Sequence, residues 1–378
     1  MSVEIKEVRT RKELREFIYL PSKIHRDHAN WVPPLYSNEW RYFNPKKNRA
    51  FSHSQAVLLM ARRNGEPVGR IIGIISHRSN EHWGEKNARF SHWECWNDQE
   101  VSHRLLTAVE EWATAEGMDK IIGPYGFSNQ DPQGFLIEGF EYPPTVATNC
   151  NFEYMIQLLE NEGYAKEVDY VVYRFDIPRE IPEIYGKIFQ RVLKRGSYEI
   201  VEFSTRRTLR PYIVPVLRLM NDCFEEIYGF FPLDEHEMNQ LARRYVRILD
   251  PRFIKLIIRN GEVVAFNIAM PNLSDGIRKS RGRLFPFGMF MILKAAKKSR
   301  QLDSLIGGIK KEYRGCGLDV LLAVTSLESA KKAGFEVVDS HHELETNLKV
   351  RAEMERLGGT VYKRLRVFQK KLRDGRNS

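Results

Sequence analysis

Two stretches in the last third of the chain combine residue types that could do chemistry together. In the first, Ser304 to Glu328, apolar Leu305 and Ile306 run through Gly307 and Gly308 into a charged turn. Arg314-Gly-Cys-Gly-Leu-Asp319 follows, and then Val320, Val324 and Leu327 at helical spacing. Strand, glycine-rich turn and helix in that order aim backbone N–H groups and a helix N-terminus at an anionic group. In the second, Val337-Val-Asp-Ser-His-His-Glu343, with Glu345 just beyond, sets imidazoles and carboxylates at the end of a short apolar strand. Such groups suit proton abstraction from a nucleophile. Neighbouring residues on a strand face opposite sides, so one of His341 and His342 would face a site there unless the strand bends. Asn347 opens the next helical stretch, where capping is its ordinary role.

These residues need a frame. At 378 residues the chain suits two domains rather than one core. With 42% hydrophobic and 29% charged residues it reads as soluble and globular. The first residues, Met-Ser-Val-Glu-Ile-Lys, carry charge where a secretory signal would be apolar. No apolar run reaches the roughly 20 residues that span a bilayer. Cys95, Cys150, Cys223 and Cys316 are scattered without metal or disulfide spacing, so no metal and a reducing cytoplasm are expected. The net charge of +10 favours an anionic partner without choosing among a phosphate-bearing small molecule, a membrane surface and nucleic acid.

Read in order, the first half offers a strand near Val3 to Val8 and a helix from Arg11 to Tyr19. An aromatic, proline-bearing loop (residues 25–48) leads to two strands joined at Asn64-Gly65, a strong hairpin signal. A strand near Arg89, a helix from Gln99 to Glu116 with Val101, Leu105, Val109 and Trp112 on one face, and a strand at Lys120 to Ile122 complete it. The second half repeats this grammar. Arg63-Asn-Gly65 recurs as Arg259-Asn-Gly261, the helix stop at Gly117 as Gly334, and the one at Gly163 as Gly358. Three landmarks in one order predict an internal duplication. The boundary falls near Pro178 to Ser197, giving domains over 1–178 and 198–372, the first with an aromatic insertion over 123–151.

Arg314 and Gly317 fit the Arg/Gln-x-x-Gly-x-Gly/Ala phosphate loop of the GNAT superfamily of acyl-CoA-dependent N-acyltransferases, which the chain resembles. Asp319 departs from it. Gly123-Pro-Tyr-Gly-Phe-Ser128, Gly134-Phe-Leu-Ile-Glu-Gly-Phe140, Pro143-Pro144, Asn151 and the stretch from Asn347 to Tyr362 extend the resemblance over nearly the whole chain. They are similar to a tandem GNAT-like group related to the bacterial ceramide synthases. The resemblance implies an α/β (α+β) fold of two tandem GNAT-like domains, each a mixed, mainly antiparallel sheet flanked by helices. It implies an acyl-CoA or acetyl-CoA donor and a primary-amine acceptor, with a sphingoid base as one lipid example. It carries cofactor contacts onto Gly308, Ile309, Lys310, Arg314, Gly315, Cys316, Gly317 and Leu318, with a strand N–H around Gly307 to Lys310 for the thioester carbonyl. The family's tyrosine acid falls on Met354 and is absent, leaving Tyr362 or a water in that role. With it, His341 and Glu345 are the expected catalytic residues, and Tyr125, Phe127, Asn129, Asn151 and Asn347 the expected acceptor contacts. The first-half counterpart of the glycine turn, Asn97-Asp-Gln-Glu100, has no glycine and two carboxylates that repel phosphate. The first half is therefore expected to shape the site, and the second to hold CoA.

Two insertions stand out. Arg281-Gly-Arg283, an apolar run Leu284 to Leu293, and Lys294, Lys297, Lys298 and Arg300 admit three readings: a buried helix over the sheet, an interfacial segment on an anionic membrane, or a channel for an acyl chain. The aromatic insertion, with Phe135, Phe140 and Tyr142 beside Tyr125 and Phe127, is a substrate wall or an aromatic minicore, and Asp131 and Glu138 add polar handles there. Asp319 is expected to cap its own helix and so weaken nucleotide binding. Two rivals stay open: a Fem-type aminoacyl transferase using aminoacyl-tRNA, for which no long helical arm is visible, and a non-catalytic lipid- or CoA-binding protein.

Overall fold

The two Asn-Gly pairs build matching turns. Asn64 and Gly65 have φ of 54° and 81°, and Asn260 and Gly261 have 52° and 79°, the left-handed pair that a two-residue hairpin requires. In this computed structural model, which describes residues 2–372 except 147 and 246–248, both hairpins belong to a single sheet. Its strands are β1 (Glu4–Glu7), β2 (Ser54–Arg63), β3 (Glu66–Ser76), β4 (Asn87–Cys95), β5 (Lys120–Gly123), β6 (Phe135–Glu138) and β7 (Ala165–Asp176). From the second half come β8 (Glu199–Glu202), β9 (Ile254–Arg259), β10 (Glu262–Pro271), β11 (Gln301–Ile309), β12 (Val337–Asp339), β13 (Glu343–Leu344) and β14 (Thr360–Lys371). The order is β1-β2-β3-β4-β5-β14-β7-β12-β11-β10-β9-β8, with β6 on β14 and β13 on β7. The last strand of the chain thus lies between β5 and β7, and β7 in turn pairs β12.

Among the described strands, parallel pairing occurs once in each half. β4 pairs β5 over Asn87–Arg89, and β11 pairs β12 over Gln301–Asp303. Helices make these crossovers, α2 (Gln99–Ala115) in the first half and α8 (Leu318–Lys332) in the second, after α1 (Arg11–Tyr19) and before α9 (Leu348–Arg356). Between them run α3 (Tyr154–Asn161), α4 (Glu183–Lys194), α5 (Ile213–Phe224), α6 (Ser274–Lys279) and α7 (Gly288–Lys298). The stripe Val101, Leu105 and Val109 of α2 is buried, as are Val320, Val324 and Leu327 of α8. Burial of such a face, about 25 cal/mol per Å² of apolar surface, fixes each helix on the sheet. The aromatic loop of residues 25–48 is more regular than its prolines suggest, since Tyr36–Tyr42 is helical and Tyr36 and Phe43 are core.

Beyond the short parallel pairing, β4 and β11 each run on past their partners. A bulge marks both. The β10–β11 register passes from Ile268↔Ile306 to Ala269↔Ser304, leaving Leu305 as an extra residue. The β3–β4 register shifts between Arg70 and Ile72, where His92 has a φ of 47°. A bulge bends its strand and opens a wedge between it and the parallel neighbour. In the first half this wedge is filled. Trp93 and Phe135 pack with centroids 5.7 Å apart, the Tyr125 amide donates to the Phe90 carbonyl at 2.8 Å, and the Tyr154 hydroxyl donates to the Cys95 carbonyl at 2.9 Å. Asp98 accepts from the Val101 amide and pairs with Arg63, so the first turn of α2 is occupied by its own carboxylate. In the second half the wedge stays open.

The run 281–300 does not cover the sheet. Ile292 packs inward, but Phe285, Phe287 and Phe290 are 84%, 70% and 67% exposed. The buried-helix reading fails because α7 packs on α6 through Ile292 and Ala295 and leaves Met289, Phe290, Met291 and Leu293 exposed.

Candidate active site

The open wedge forms part of one large cavity, about 1670 Å³, whose lining runs from the glycine turn across β11 to the loops of the first half. Pockets for drug-sized ligands are roughly 300–1,000 Å³, so this one has room for more than a compact molecule. One wall is the free edge of β11. Lys310 donates its amide to Val264 on β10 and, by the alternation of an antiparallel strand, Ile309 and Gly307 turn theirs to the open side. The Ile309 carbonyl on that side accepts from Arg314 Nε at 3.2 Å, and Arg314 Nη2 donates to the Cys223 carbonyl at 3.4 Å. Arg314 therefore holds the turn against α5 as well as supplying charge.

The turn itself has the shape of an anion cradle. Gly315 and Gly317 have φ of 77° and 84°. Cys316 donates its amide back to Tyr313, while the amides of Gly315 and Gly317 have no hydrogen bond with a described residue. The first-turn amides of α8 lack intrahelical partners by construction. Asp319 makes no capping hydrogen bond: Gly317, without a side chain, holds the N-cap position, and the carboxylate lines the cavity instead. The expected cap is thus replaced by a free carboxylate beside a bare helix end. Of the expected cofactor contacts, Gly308, Ile309, Arg314 and Gly315 line the cavity. Lys310 is paired with Glu262 at 2.8 Å and Glu312 at 3.0 Å, Cys316 is exposed, and the Leu318 side chain lies in the core. These three, with Gly317, offer the cavity no lining side chain.

The titratable strand end divides in two. His341, His342 and Glu343 line the cavity; Glu345 and Tyr362 do not. His341 adopts a φ of 59°, so the strand breaks there and both imidazoles reach the same cavity, their centroids 4.6 Å apart. Its Nε2 lies 3.0 Å from the Val146 carbonyl of the aromatic insertion. Burial holds both imidazoles below the usual histidine range, and His342 Nε2 is buried without a partner among the described residues. The Glu343 carboxyl makes no hydrogen bond or ion pair with a described residue, and burial pushes it up to about 8. Glu345, by contrast, pairs with Lys166 at 2.6 Å and faces away. Tyr362 donates to Asp339, packs on Tyr142, and sits with Asp303 in a buried polar cluster below the wedge. There burial and the adjacent Asp339 raise the Asp303 carboxyl.

The expected acceptor contacts are equally mixed. Phe127 and Asn129 line the cavity. Asn347 also lines it, and its side chain caps nothing although it occupies the N-cap position of α9. Asn151 also lines it, but spends its amide on the backbone of Leu136 and Phe152, bracing the insertion. Tyr125 is sealed under Arg89, whose guanidinium lies 4.4 Å from the ring, and is minicore.

Sequence reasoning missed a second polar group on the same cavity. Glu39, Tyr42, Arg70, His92, Glu94 and Asp131 gather where the first-half loop meets the β4 bulge. Burial pushes Glu39 up to about 7, raises Glu94 and lowers His92. Glu39 Oε2, Glu94 Oε2 and His92 Nδ1 have no hydrogen-bond partner among the described residues. These six come from four separate segments with no shared motif, so no single spacing joins them; only Asp131 stood out as a polar handle.

An open wedge beside a bulged strand, a left-handed glycine turn and a bare helix end define a GNAT-type acyltransferase of tandem build. Solved structures agree on the fold. A tandem GNAT protein from the clavulanic acid biosynthesis pathway aligns over 98% of this chain and 99% of its own, with TM-score 0.56 and 13% identity. A GCN5-related N-acetyltransferase from Sphaerobacter thermophilus aligns over 98% and 96%, with TM-score 0.53 and 12% identity. No family model matches the chain. The bacterial ceramide synthase of Caulobacter vibrioides is 30% identical over 376 residues, 97% of this chain and 96% of that protein, and the chain belongs to its family. Protein YghO of Escherichia coli K12 is 25% identical over 371 residues, 96% of this chain and 94% of its own. The chain is an N-acyltransferase.

Proposed function

We propose that this protein transfers the acyl group of an acyl-CoA to the primary amine of a long-chain lipid, with a sphingoid base as the first candidate. The observation that carries this reading is the convergence of Glu343, the free β11 amides and the glycine turn on one cavity of about 1670 Å³. Gly315, Gly317 and the first turn of α8 suit the pyrophosphate, since their N–H groups are unspent. The amides of Gly307 and Ile309 suit the thioester carbonyl and the oxyanion that forms from it. The acceptor nitrogen attacks the carbonyl carbon and gives its proton to the Glu343 carboxylate. The C–S bond then breaks, and the departing thiolate of CoA takes up a proton. His342 and Asn347, on the same wall, are placed to orient the amine. A cavity of this size and apolar lining supports long chains on donor or acceptor, and the name of the Caulobacter relative supports a sphingoid acceptor.

The test is an assay of released thiol and of N-acylated product with sphinganine and acyl-CoAs of graded chain length. Product formation that rises with acyl length supports the reading. Turnover with acetyl-CoA and small polar amines alone would replace the lipid acceptor with a soluble one.

A further inference from the structure

Among the described residues, nine large hydrophobic side chains are exposed, and six of them fall in one stretch: Phe285, Phe287, Met289, Phe290, Met291 and Leu293. A soluble surface seldom gathers its apolar side chains in this way. The charge around them is of one sign. Residues 281–300 contain six basic residues and no acidic one. Arg300 pairs with Glu336, whereas Arg281, Arg283, Lys294, Lys297 and Lys298 are exposed and have no ion pair with a described residue.

The stretch is held firmly despite its exposure. A Cβ on Gly276 of α6 would lie 2.6 Å from the Ile292 Cα, so the two helices touch backbone to side. The Tyr36 amide donates to the Gly282 carbonyl at 3.0 Å, and a Cβ on Gly282 would meet the Pro34 carbonyl at 2.2 Å. The hairpin is therefore docked on the first-half loop, and its position is defined. That position adjoins the cavity: Leu273, Ser274 and Ile277 of the α6 segment, and Pro34 and Leu35 opposite, all line it.

We infer that the α6–α7 hairpin is the surface by which this protein seats on an anionic membrane, the Phe and Met side chains entering the interface and the lysines and arginines reaching phosphates. The hairpin's one carboxylate, Asp275, is already paired with Arg278, so the flank of the apolar tips is net cationic. Apolar tips with such a flank match an interfacial element better than the polar rim of a protein interface. The inference stands on exposure and charge and does not depend on acyl transfer. Joined to the function proposed above, it supplies the route by which a lipid amine would pass from the bilayer to the cavity.

The experiment is co-sedimentation of the full chain with vesicles of phosphatidylcholine, alone or with phosphatidylglycerol as roughly a third of the lipid. Wild type is expected to sediment with the anionic vesicles, less so as salt rises. Phe285→Ser/Phe287→Ser/Phe290→Ser should weaken binding at least about tenfold to both vesicles. Lys294→Gln/Lys297→Gln/Lys298→Gln should weaken it about a hundredfold on anionic vesicles at low salt and little on neutral ones. Sedimentation velocity is run in parallel. Wild type left in the supernatant, both variants binding undiminished, or a wild-type dimer that the Phe variant converts to monomer would each overturn the inference, the last by giving the face to a second copy. Acyl transfer with substrates in detergent separates the two proposals: vesicle binding without any transfer refutes the function and leaves this surface standing.

Discussion

At the scale of single residues, the contrast between Glu343 and Glu345 is instructive. Both carboxylates follow the histidines, and spacing alone cannot say which one stays free. Lys166 is 179 positions away from Glu345 in sequence, so the ion pair that takes it out of play is invisible until β7 and β13 are paired. The histidine pair was legible, but the left-handed backbone at His341, which turns both rings into the cavity, was not. Glu343→Gln is expected to lower kcat by roughly 10²–10⁴-fold, and Glu345→Ala to leave it within a few-fold. Since burial raises the Glu343 carboxyl to about 8, wild-type kcat/KM should climb with pH to that point, and the glutamine variant should lack this limb. Stability follows the opposite course. A carboxyl whose folded value lies above its ordinary 4.5 contributes most below that pH, and the contribution is lost as pH rises through about 8. The thermal midpoint of wild type should therefore fall, relative to Glu343→Gln, between pH 5 and 9, as read by calorimetry. Asp319 gives a second test. Its uncapped carboxylate stands beside amides suited to phosphate, so Asp319→Ala should tighten CoA binding about threefold at low salt, with the gain shrinking as salt rises. Isothermal titration reads this directly, and unchanged affinity would remove Asp319 from the phosphate site.

At the scale of elements, the hairpins, the two crossover helices and the glycine turn were legible because each has a short-range cause. Asn-Gly demands left-handed φ, a period near 3.6 marks a buried face, and glycine marks a helix stop. The bulge at Leu305 had no such mark. An apolar strand residue reads the same whether or not it is paired, and the wedge it opens depends on where β12 ends. The filling of the first-half wedge by Trp93, Phe135 and Tyr154 was hidden for the same reason, although Asp98, the residue that caps α2, stood out among the carboxylates of residues 97–100. The turn before α8 has little tolerance. At Gly317, φ is 84° and a Cβ would lie 2.7 Å from Val192 Cγ2 on α4. Gly317→Ala should cost about 1–3 kcal/mol of stability, measured by denaturant unfolding, and weaken CoA binding by shifting the helix end. Gly315→Ala meets open space and carries only the backbone strain, so it should cost less.

At the scale of the whole molecule, the duplication is read as two domains over 1–178 and 198–372, yet the sheet binds the halves more closely than a linker would. β14 forms nine residue pairs with β7 and four with β5, so the end of the chain completes the first half. Without it, β5 would become an open edge, and Phe368, Val367 and Leu365, all fully buried, would leave holes in two cores. β7 in turn pairs β12 and β13, framing the strand end that bears Glu343. A sheet of this order makes the candidate site a property of both halves: its glycine turn, His341, His342 and Glu343 come from the second, and Glu39, His92, Glu94 and Asp131 from the first. The expectation is that residues 1–178 and 198–378, each produced alone, remain molten or aggregate, because each exposes unpaired strand edges and apolar surface. Produced together, they should assemble into a one-to-one complex that regains CoA binding. Circular dichroism, sedimentation and titration of the separate and mixed fragments decide the matter: a first half that unfolds cooperatively by itself would mean that β14 decorates a finished domain, whereas folding only on mixing would make the shared strand pair the centre around which both copies, and the site between them, are built.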